Sequence, residues 1–463
     1  MTENILRELA RRIDGRVLRA ADAGYDEART LFNAMIDRHP AAIVQCTTPA
    51  DVAAAIAAAR DGGLPLAVRG GGHSVAGMSL CDGGIVIDLR PMDAVSVDPE
   101  RQIARAGGGA TWAQFDSATQ AHGLAAVGGR VSSTGVAGLT LGGGSGWLER
   151  RFGLACDALV AVELVTADGD VVVATADDHP ELFWALHGGG GNFGVATQLT
   201  FQLEPVGPQV LAGLLLHRAE EGAAALKRLR DLMDSAPDAL GPAFGWLTAP
   251  AEDPIPAHLQ GELIAATIVC WSGDDLAEGE RVIAPLRAQG VEADLVGPVP
   301  YADFQRAIDD PPGLRNWWTG DYLDALPDKA IDVLAEHSLR LPKGASQSLI
   351  IPWGGEVARS SGRWPLARRD AAWVVHPFML WDDPARDAEH IAWAREVSAA
   401  MSPYVSGGVY LNFTGQEGDE RIRAAYGDAN LRRLQAVKTQ YDPENVFRLN
   451  HNIRPVRAAA LPV

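Results

Sequence analysis

The sequence predicts an α+β protein of two domains, and three observations carry that reading. The chain has 463 residues, and at roughly 150 residues per domain this implies two or three domains sharing a site. Its 50 glycines include four clusters, near Gly70, Gly107, Gly142 and Gly188, between short apolar strands. Beyond Pro208 the clusters stop and tryptophan becomes common, from Trp246 to Trp393, which places a domain boundary there.

Taken in order, a helical entry segment precedes a short buried strand at residues 42–46. Thr48-Pro49-Ala50-Asp51 has the form of a capping box with proline at the first helical position. The helix it opens runs to about Arg60, and Gly62-Gly63 stops it. Residues 64–68 form a second apolar strand that enters the loop Arg69-Gly70-Gly71-Gly72-His73-Ser74-Val75-Ala76-Gly77. Beyond the loop the pattern is strand again: residues 84–89, the alternating 94–97, and 103–106 before Gly107-Gly108-Gly109. Segments 159–165 and 171–174 flank Asp168-Gly169, a hairpin turn signal. The cluster 188–194 precedes a strand at 195–203. In the second half, strand-like and helix-like segments alternate. Residues 409–413 read as an alternating strand, which puts Tyr410 and Asn412 on one face. Residues 429–440 form an amphipathic helix through Leu431, Leu434 and Val437 that ends before Asp442-Pro443.

Composition excludes several classes. Acidic residues outnumber basic ones 59 to 40, a net charge of −19, so the summed field repels phosphate backbones and anionic lipid. Neither nucleic acid nor membrane is expected as a partner. The four cysteines, Cys46, Cys81, Cys156 and Cys270, form no C-x-x-C pair and read as reduced and buried. Neither a signal peptide nor an apolar span is evident, so the expected location is the cytoplasm. A nicotinamide-binding Rossmann site needs a helix directly after its glycines, whereas the Gly70 loop runs into strand. No Gly-Lys-Ser/Thr follows any cluster, no H-E-x-x-H occurs, and Ser145 is followed by Gly146 and Trp147 rather than a nucleophile elbow. There remain clustered backbone amides able to converge on an anion or a planar ring, with His73 unshielded among small neighbours as a ligand, base or nucleophile toward a cofactor.

The run Leu66-Ala67-Val68-Arg69-Gly70-Gly71-Gly72-His73-Ser74 resembles the covalent-flavin loop of the berberine bridge enzyme-like FAD oxidases, which have the vanillyl-alcohol-oxidase fold. The likeness covers nearly the whole chain: residues 83–89, 142–147, Phe183-Trp184-Ala185-Leu186 with 188–195, and Tyr441-Asp442-Pro443 through Asn450-His451-Asn452-Ile453. It implies an FAD-binding domain split between residues 1–208 and 415–463 around a substrate domain with an antiparallel sheet at 209–414. It implies FAD bonded to a ring nitrogen of His73 through its 8α-methyl, with the diphosphate cradled by glycine amides. The cofactor positions are Arg69, Gly70, Gly71, Gly72, Ser74 and Gly77 in the first loop, then Val131, Ser132, Thr134, Gly135, Gly138 and Leu139. Gly142, Gly144, Gly146 and Trp147 come next, then Asn192, Gly194 and Val195, while Asn450 and Asn452 pin the edge of the isoalloxazine. Many relatives attach FAD a second time through a cysteine eleven residues before the triple glycine; Val131 stands there, which implies a single link, as in the family's monocovalent branch.

Catalysis by such a flavin needs a substrate C–H aimed at N5, a route for the proton and stabilisation of charge at N1 and C2=O. Tyr410, Asn412 and Thr134 are the candidates, Tyr410 as proton acceptor only if its pKa of about 10 is lowered. Thr134 either borders the oxygen pocket or caps a turn. Trp317-Trp318 is the tryptophan pair most suited to a ring-bearing substrate. Three functions stay open: oxidation of a small alcohol, phenol-like compound or cyclic amine with dioxygen giving hydrogen peroxide; oxygenation of a natural-product intermediate through an oxygenated flavin such as an N5-oxide; or flavin binding with little turnover.

Overall fold

The computed structural model describes residues 2–415 and 417–456. A first sheet contains β1 (Arg16–Leu18), β2 (Ala42–Gln45), β3 (Leu66–Arg69) and β4 (Ile85–Asp88) in the order β1-β2-β4-β3. Both β2 and β3 run parallel to β4, which requires crossovers. The first is made by helix α2 (Pro49–Gly62), packed beside α1 (Thr2–Arg12). The capping box is present: the Thr48 side chain accepts from Asp51 N while the Asp51 carboxylate accepts from Thr48 N, and left-handed Gly63 ends the helix.

The second sheet is antiparallel, with β5 (Val95–Asp98), β6 (Ile103–Gly107), β7 (Leu159–Val165), β8 (Val171–Ala174) and β9 (Val195–Gln202) in the order β5-β6-β9-β7-β8. Its expected hairpin closes with Val165 paired to Val171 and Gly169 at φ 89°.

From Gln209 onward the chain builds one nine-stranded sheet. Its strands are β10 (Gln209–Arg218), β11 (Ala243–Thr248), β12 (Leu263–Trp271), β13 (Ala293–Asp294), β14 (Gly297–Pro300), β15 (Arg315–Trp318), β16 (Asp321–Leu323), β17 (Gln347–Pro352) and β18 (Trp373–Trp381). The order is β13-β10-β12-β11-β17-β18-β15, with β14 on β10 and β16 on β18, all antiparallel. Leu211, Leu215, Val375 and Met379 point to one face, into a core with Leu229, Leu334 and Val397 of flanking helices. Ala212, Leu349, His376 and Phe378 point to the other, into a cavity.

Two expectations are corrected. Residues 409–413 are not a strand, since Leu411–Phe413 is a single 3₁₀ turn. The last helix starts earlier than its amphipathic part, running over Asp419–Tyr441 with a break at left-handed Gly427. The four cysteines are buried and unpaired as expected, and no helix among the described residues is long and apolar enough to cross a membrane.

Asp116, on the helix Trp112–Gln120, is buried with a single donor, Gln305 Nε2 at 3.1 Å. Asp116 Oδ1 and Gln305 Oε1 both lack partners among the described residues. Burial raises the carboxyl from 3.8 to about 7, so the proton is held more tightly folded than unfolded. The stability this confers is complete below pH ~4 and lost as pH rises through 7, a swing on the order of 4 kcal/mol at most. Asp116→Asn is therefore expected to be more thermostable than the parent at pH 8, with a gap that narrows toward pH 5 in paired thermal melts.

Candidate active site

β3 delivers the chain into the Gly70 loop, where it meets a second loop backbone to backbone. A Cβ on Gly71 would lie 2.3 Å from Gly135 N, and one on Gly135 2.4 Å from Gly71 N. Only a glycine pair permits this approach. It sets His73 against the second loop, with Nε2 2.9 Å from Ser133 Oγ and Nδ1 3.3 Å from Thr134 Oγ1. Phe32 stacks on the imidazole at 4.0 Å and 20°. Burial, reinforced by Arg69, lowers the His73 pKa to about 4, so the ring is neutral at pH 7 and keeps a lone pair.

His73 faces a cavity of about 850 Å³ to which all four glycine clusters contribute, through Gly70–Gly72, Gly108, Gly142 and Gly188–Gly191, joined by Gly135, Gly138 and Gly194. Gly138 and Gly191 border open space, where a Cβ would have no neighbour within 4 Å. Ser74, Val131, Thr134, Leu139, Trp147, Asn192, Val195, Asn412 and Asn450 also lie on the wall.

Other expected residues do not. Arg69 donates to the Ala28 carbonyl beneath the loop, and Gly77 packs on Ile36. Ser132 gives both its amide and its hydroxyl to the Asp309 carboxylate. Gly144 packs on Ala155 and Gly146 on the Gly128 carbonyl, while Asn452 lies off the wall with its Oδ1 unpartnered among the described residues. Tyr410 is also off the wall. Its Oη accepts from Gly144 N (2.6 Å), Ser145 N (2.9 Å) and Asn412 Nδ2 (3.1 Å). Burial raises its pKa well above 10 despite those donors, the reverse of what a proton acceptor needs. Tyr410 thus anchors the glycine loop, and Asn412 is beside it through a turn rather than a strand. Asn192 spends its side chain on the tail, donating to Gly189 O and His451 O and accepting from Ile453 N.

Sequence reasoning missed the wall supplied by the large sheet, namely Gln347, His376 and Phe378, with Phe413, Asp310 and Arg130. Trp318 is on this wall, as expected of the tryptophan pair; its neighbour Trp317 turns to the opposite core. Asp310 accepts from Gln347 Nε2 at 3.1 Å, and burial, with Asp309 nearby, raises its pKa to about 7. Arg130 is held by Glu149 at 2.8 Å and lies over the Trp147 ring.

Comparison with known proteins identifies the chain as an FAD-binding oxidoreductase. A family model described as "FAD binding domain" matches residues 40–175, and one described as "Berberine and berberine like" matches 409–454. (R)-6-hydroxynicotine oxidase of Paenarthrobacter nicotinovorans is 33% identical over 461 residues, covering 96% of this chain and 97% of that protein. The uncharacterized FAD-linked oxidoreductase YgaK of Bacillus subtilis is 29% identical, covering 96% and 98%. Among solved structures, 6-hydroxy-D-nicotine oxidase from Arthrobacter nicotinovorans superposes with a TM-score of 0.86 at 31% identity, covering 96% of this chain and 98% of that one. Physcomitrella patens BBE-like 1 shares the fold, with a TM-score of 0.85 at 20% identity over 99% of both chains. The chain belongs to the berberine bridge enzyme-like FAD-linked oxidoreductases.

Two glycines separate folding from cofactor space. Gly71→Ala forces a methyl into backbone and is expected to cost about 1–3 kcal/mol in denaturant unfolding and to lose flavin. Gly138→Leu starts from a Cβ position with no neighbour within 4 Å and is expected to leave stability within about 1 kcal/mol of the parent while lowering the flavin absorbance per chain.

Proposed function

We propose that the protein is an FAD-linked oxidase with its cofactor attached through His73 alone. The observation that carries this is the neutral imidazole of His73 on the wall of a glycine-lined cavity, with a hydroxyl at each ring nitrogen. Ser133 and Thr134 can each donate or accept, so either ring nitrogen can present its lone pair to the flavin 8α-methyl while the other stays hydrogen-bonded. Val131 on the same wall has no sulfur for a second link. The wall fits the cofactor: glycine amides of the first loop and of residues 188–194 suit its diphosphate, and Asn450 Oδ1, without a donor among the described residues, suits a ring N–H.

FAD held there would supply a hydride acceptor for the substrate and a route for two electrons to dioxygen, with hydrogen peroxide as the product. The chain's own contribution is to hold substrate between the glycine loops and the large sheet, out of bulk water. The substrate class proposed is a small alcohol, phenol-like compound or cyclic amine; the 33% identical relative is named for oxidation of a hydroxylated nicotine. Thr134, with its hydroxyl engaged on His73, acts on the covalent link rather than on the substrate.

Acid precipitation tests the attachment. A yellow wild-type pellet and a colourless His73→Ala pellet are expected; a His73→Ala pellet that keeps its flavin contradicts the link. Peroxide release during turnover of a substrate panel under air then tests oxidase chemistry.

A further inference from the structure

The cavity wall changes character along the large sheet. Toward the β15 edge it carries polar groups, Gln347 and His376 with Asp310 nearby in the chain to Trp318. Past β17, the residues that β11, β12 and β10 turn to the cavity are Ala, Gly, Leu and Ile, apart from Thr248 at the end of β11. Strand register makes the two parts one surface. Trp318 pairs with Phe378, Phe378 with Gln347, Gln347 with Leu247 and Leu247 with Ile264; on the last strand Leu216 pairs with Ala266. From β15 to β10 the order is β15-β18-β17-β11-β12-β10, five strand spacings or roughly 24 Å.

The aliphatic part is an enclosed arm. Ile255, in the segment after β11, is buried in a cluster with Leu216, Ile264 and Ala266 and lines the cavity as a roof. Leu295 and Val299, half-buried, are also on the wall. Ala212, Ala243 and Ala266 keep the floor low. The backbone groups of β10, β11 and β12 are spent on one another, and the polar side chains of this region, Thr248, Glu252, Asp253 and Asp303, are half-buried or exposed.

The cofactor has no use for such an arm. His73 stacks on Phe32, whose ring meets Trp318 at 6.3 Å, so a flavin attached at His73 starts from the β15 edge of the sheet. Its diphosphate and ring edge call for hydrogen-bond partners, which the glycine loops offer and the aliphatic floor does not. What the floor does reward is removal of apolar surface from water. From β11 to β10 are two strand spacings, roughly 10 Å, the reach of about eight extended methylenes.

We propose that the arm over β11, β12 and β10 binds an unbranched aliphatic chain carried by the substrate, whose reacting end lies toward Gln347 and His376. This rests on the reading of the cavity as the site of flavin-linked oxidation, and it adds to that reading a chain subsite separate from the reacting group.

The test is calorimetric titration of the purified holoprotein with 1-pentanol, 1-hexanol and 1-octanol, which share a head group and differ only in chain length. At about three- to fourfold per buried methylene, 1-octanol is expected to bind at least about twentyfold more tightly than 1-pentanol. Leu247→Trp and Leu295→Trp each put an indole into the arm from a half-buried wall position. Both are expected to keep the flavin absorbance and the 1-pentanol affinity while the gain from 1-pentanol to 1-octanol falls to about fivefold or less. The two act from different elements, so one remains informative should the other fail to fold. A smaller gain than twentyfold in the wild type, or a larger one than fivefold in either folded variant, would overturn the proposal. Visible flavin absorbance, recorded for each sample, reads out the underlying assignment separately: its absence in the wild type sinks the flavin reading, whereas its presence with no gain along the series sinks only the chain subsite.

Discussion

The contact between Gly71 and Gly135 is the constraint on which the rest of the site depends. Neither position has room for a Cβ, because the other's backbone occupies it. Each loop is in turn tied to its own domain layer. Phe32 N donates to Gly72 O, while Trp112 N, Ala113 N and Val136 N bond Thr134 O, Ser132 O and Ala110 O. The first loop is tied to the segment around Phe32 and, at Arg69, to Leu89, the second to the helix Trp112–Gln120, and the glycine pair locks the two together. His73 inherits its position from that lock, between Phe32 on its face and two hydroxyls on its edge. This is preorganisation in a literal sense: the imidazole is held neutral and aimed before any cofactor arrives.

A second lock closes the cavity from the other end of the chain. Lys438 is wholly buried, and its three protons go to Asn192 O (2.7 Å), Asp442 (2.6 Å) and Phe447 O (2.9 Å). A buried ion pair is no guarantee of stability, but one with every proton placed specifies a single arrangement. Here it draws the tail after Asp442 back against the cluster at residues 188–194, where Asn192 completes the junction through His451 O and Ile453 N. Asn450 reaches the cavity by this route.

The sequence disclosed those features that local rules govern. Capping residues at Thr48 and Asp51, the Asp168-Gly169 turn and the glycine clusters each have a short-range physical cause, and each is found as expected. Position in a glycine-rich run does not reveal direction, which is why Arg69 and Ser132 are turned to Ala28 and Asp309 instead of the cavity. The spacing of Tyr410 and Asn412 suggests one face of a strand, but a 3₁₀ turn leaves Asn412 on the cavity wall and Tyr410 off it, and the depth that raises the phenol's pKa is a tertiary property. His376 was hidden for a different reason: β18 is buried on both faces, so it lacks the alternation of polarity that marks a functional face. Only the sheet's position between helices and cavity reveals which residues of that strand look inward.

In the proposed attachment the locked loops offer His73, and no other side chain, for a covalent bond to the flavin. That attachment is tested most directly by digesting the purified holoprotein and mapping flavin-bearing peptides by mass spectrometry. One modified peptide is expected, heavier by FAD less two hydrogens, with fragment ions that place the added mass on His73. Finding the flavin on another residue, on two residues, or on none while the protein remains yellow would contradict it.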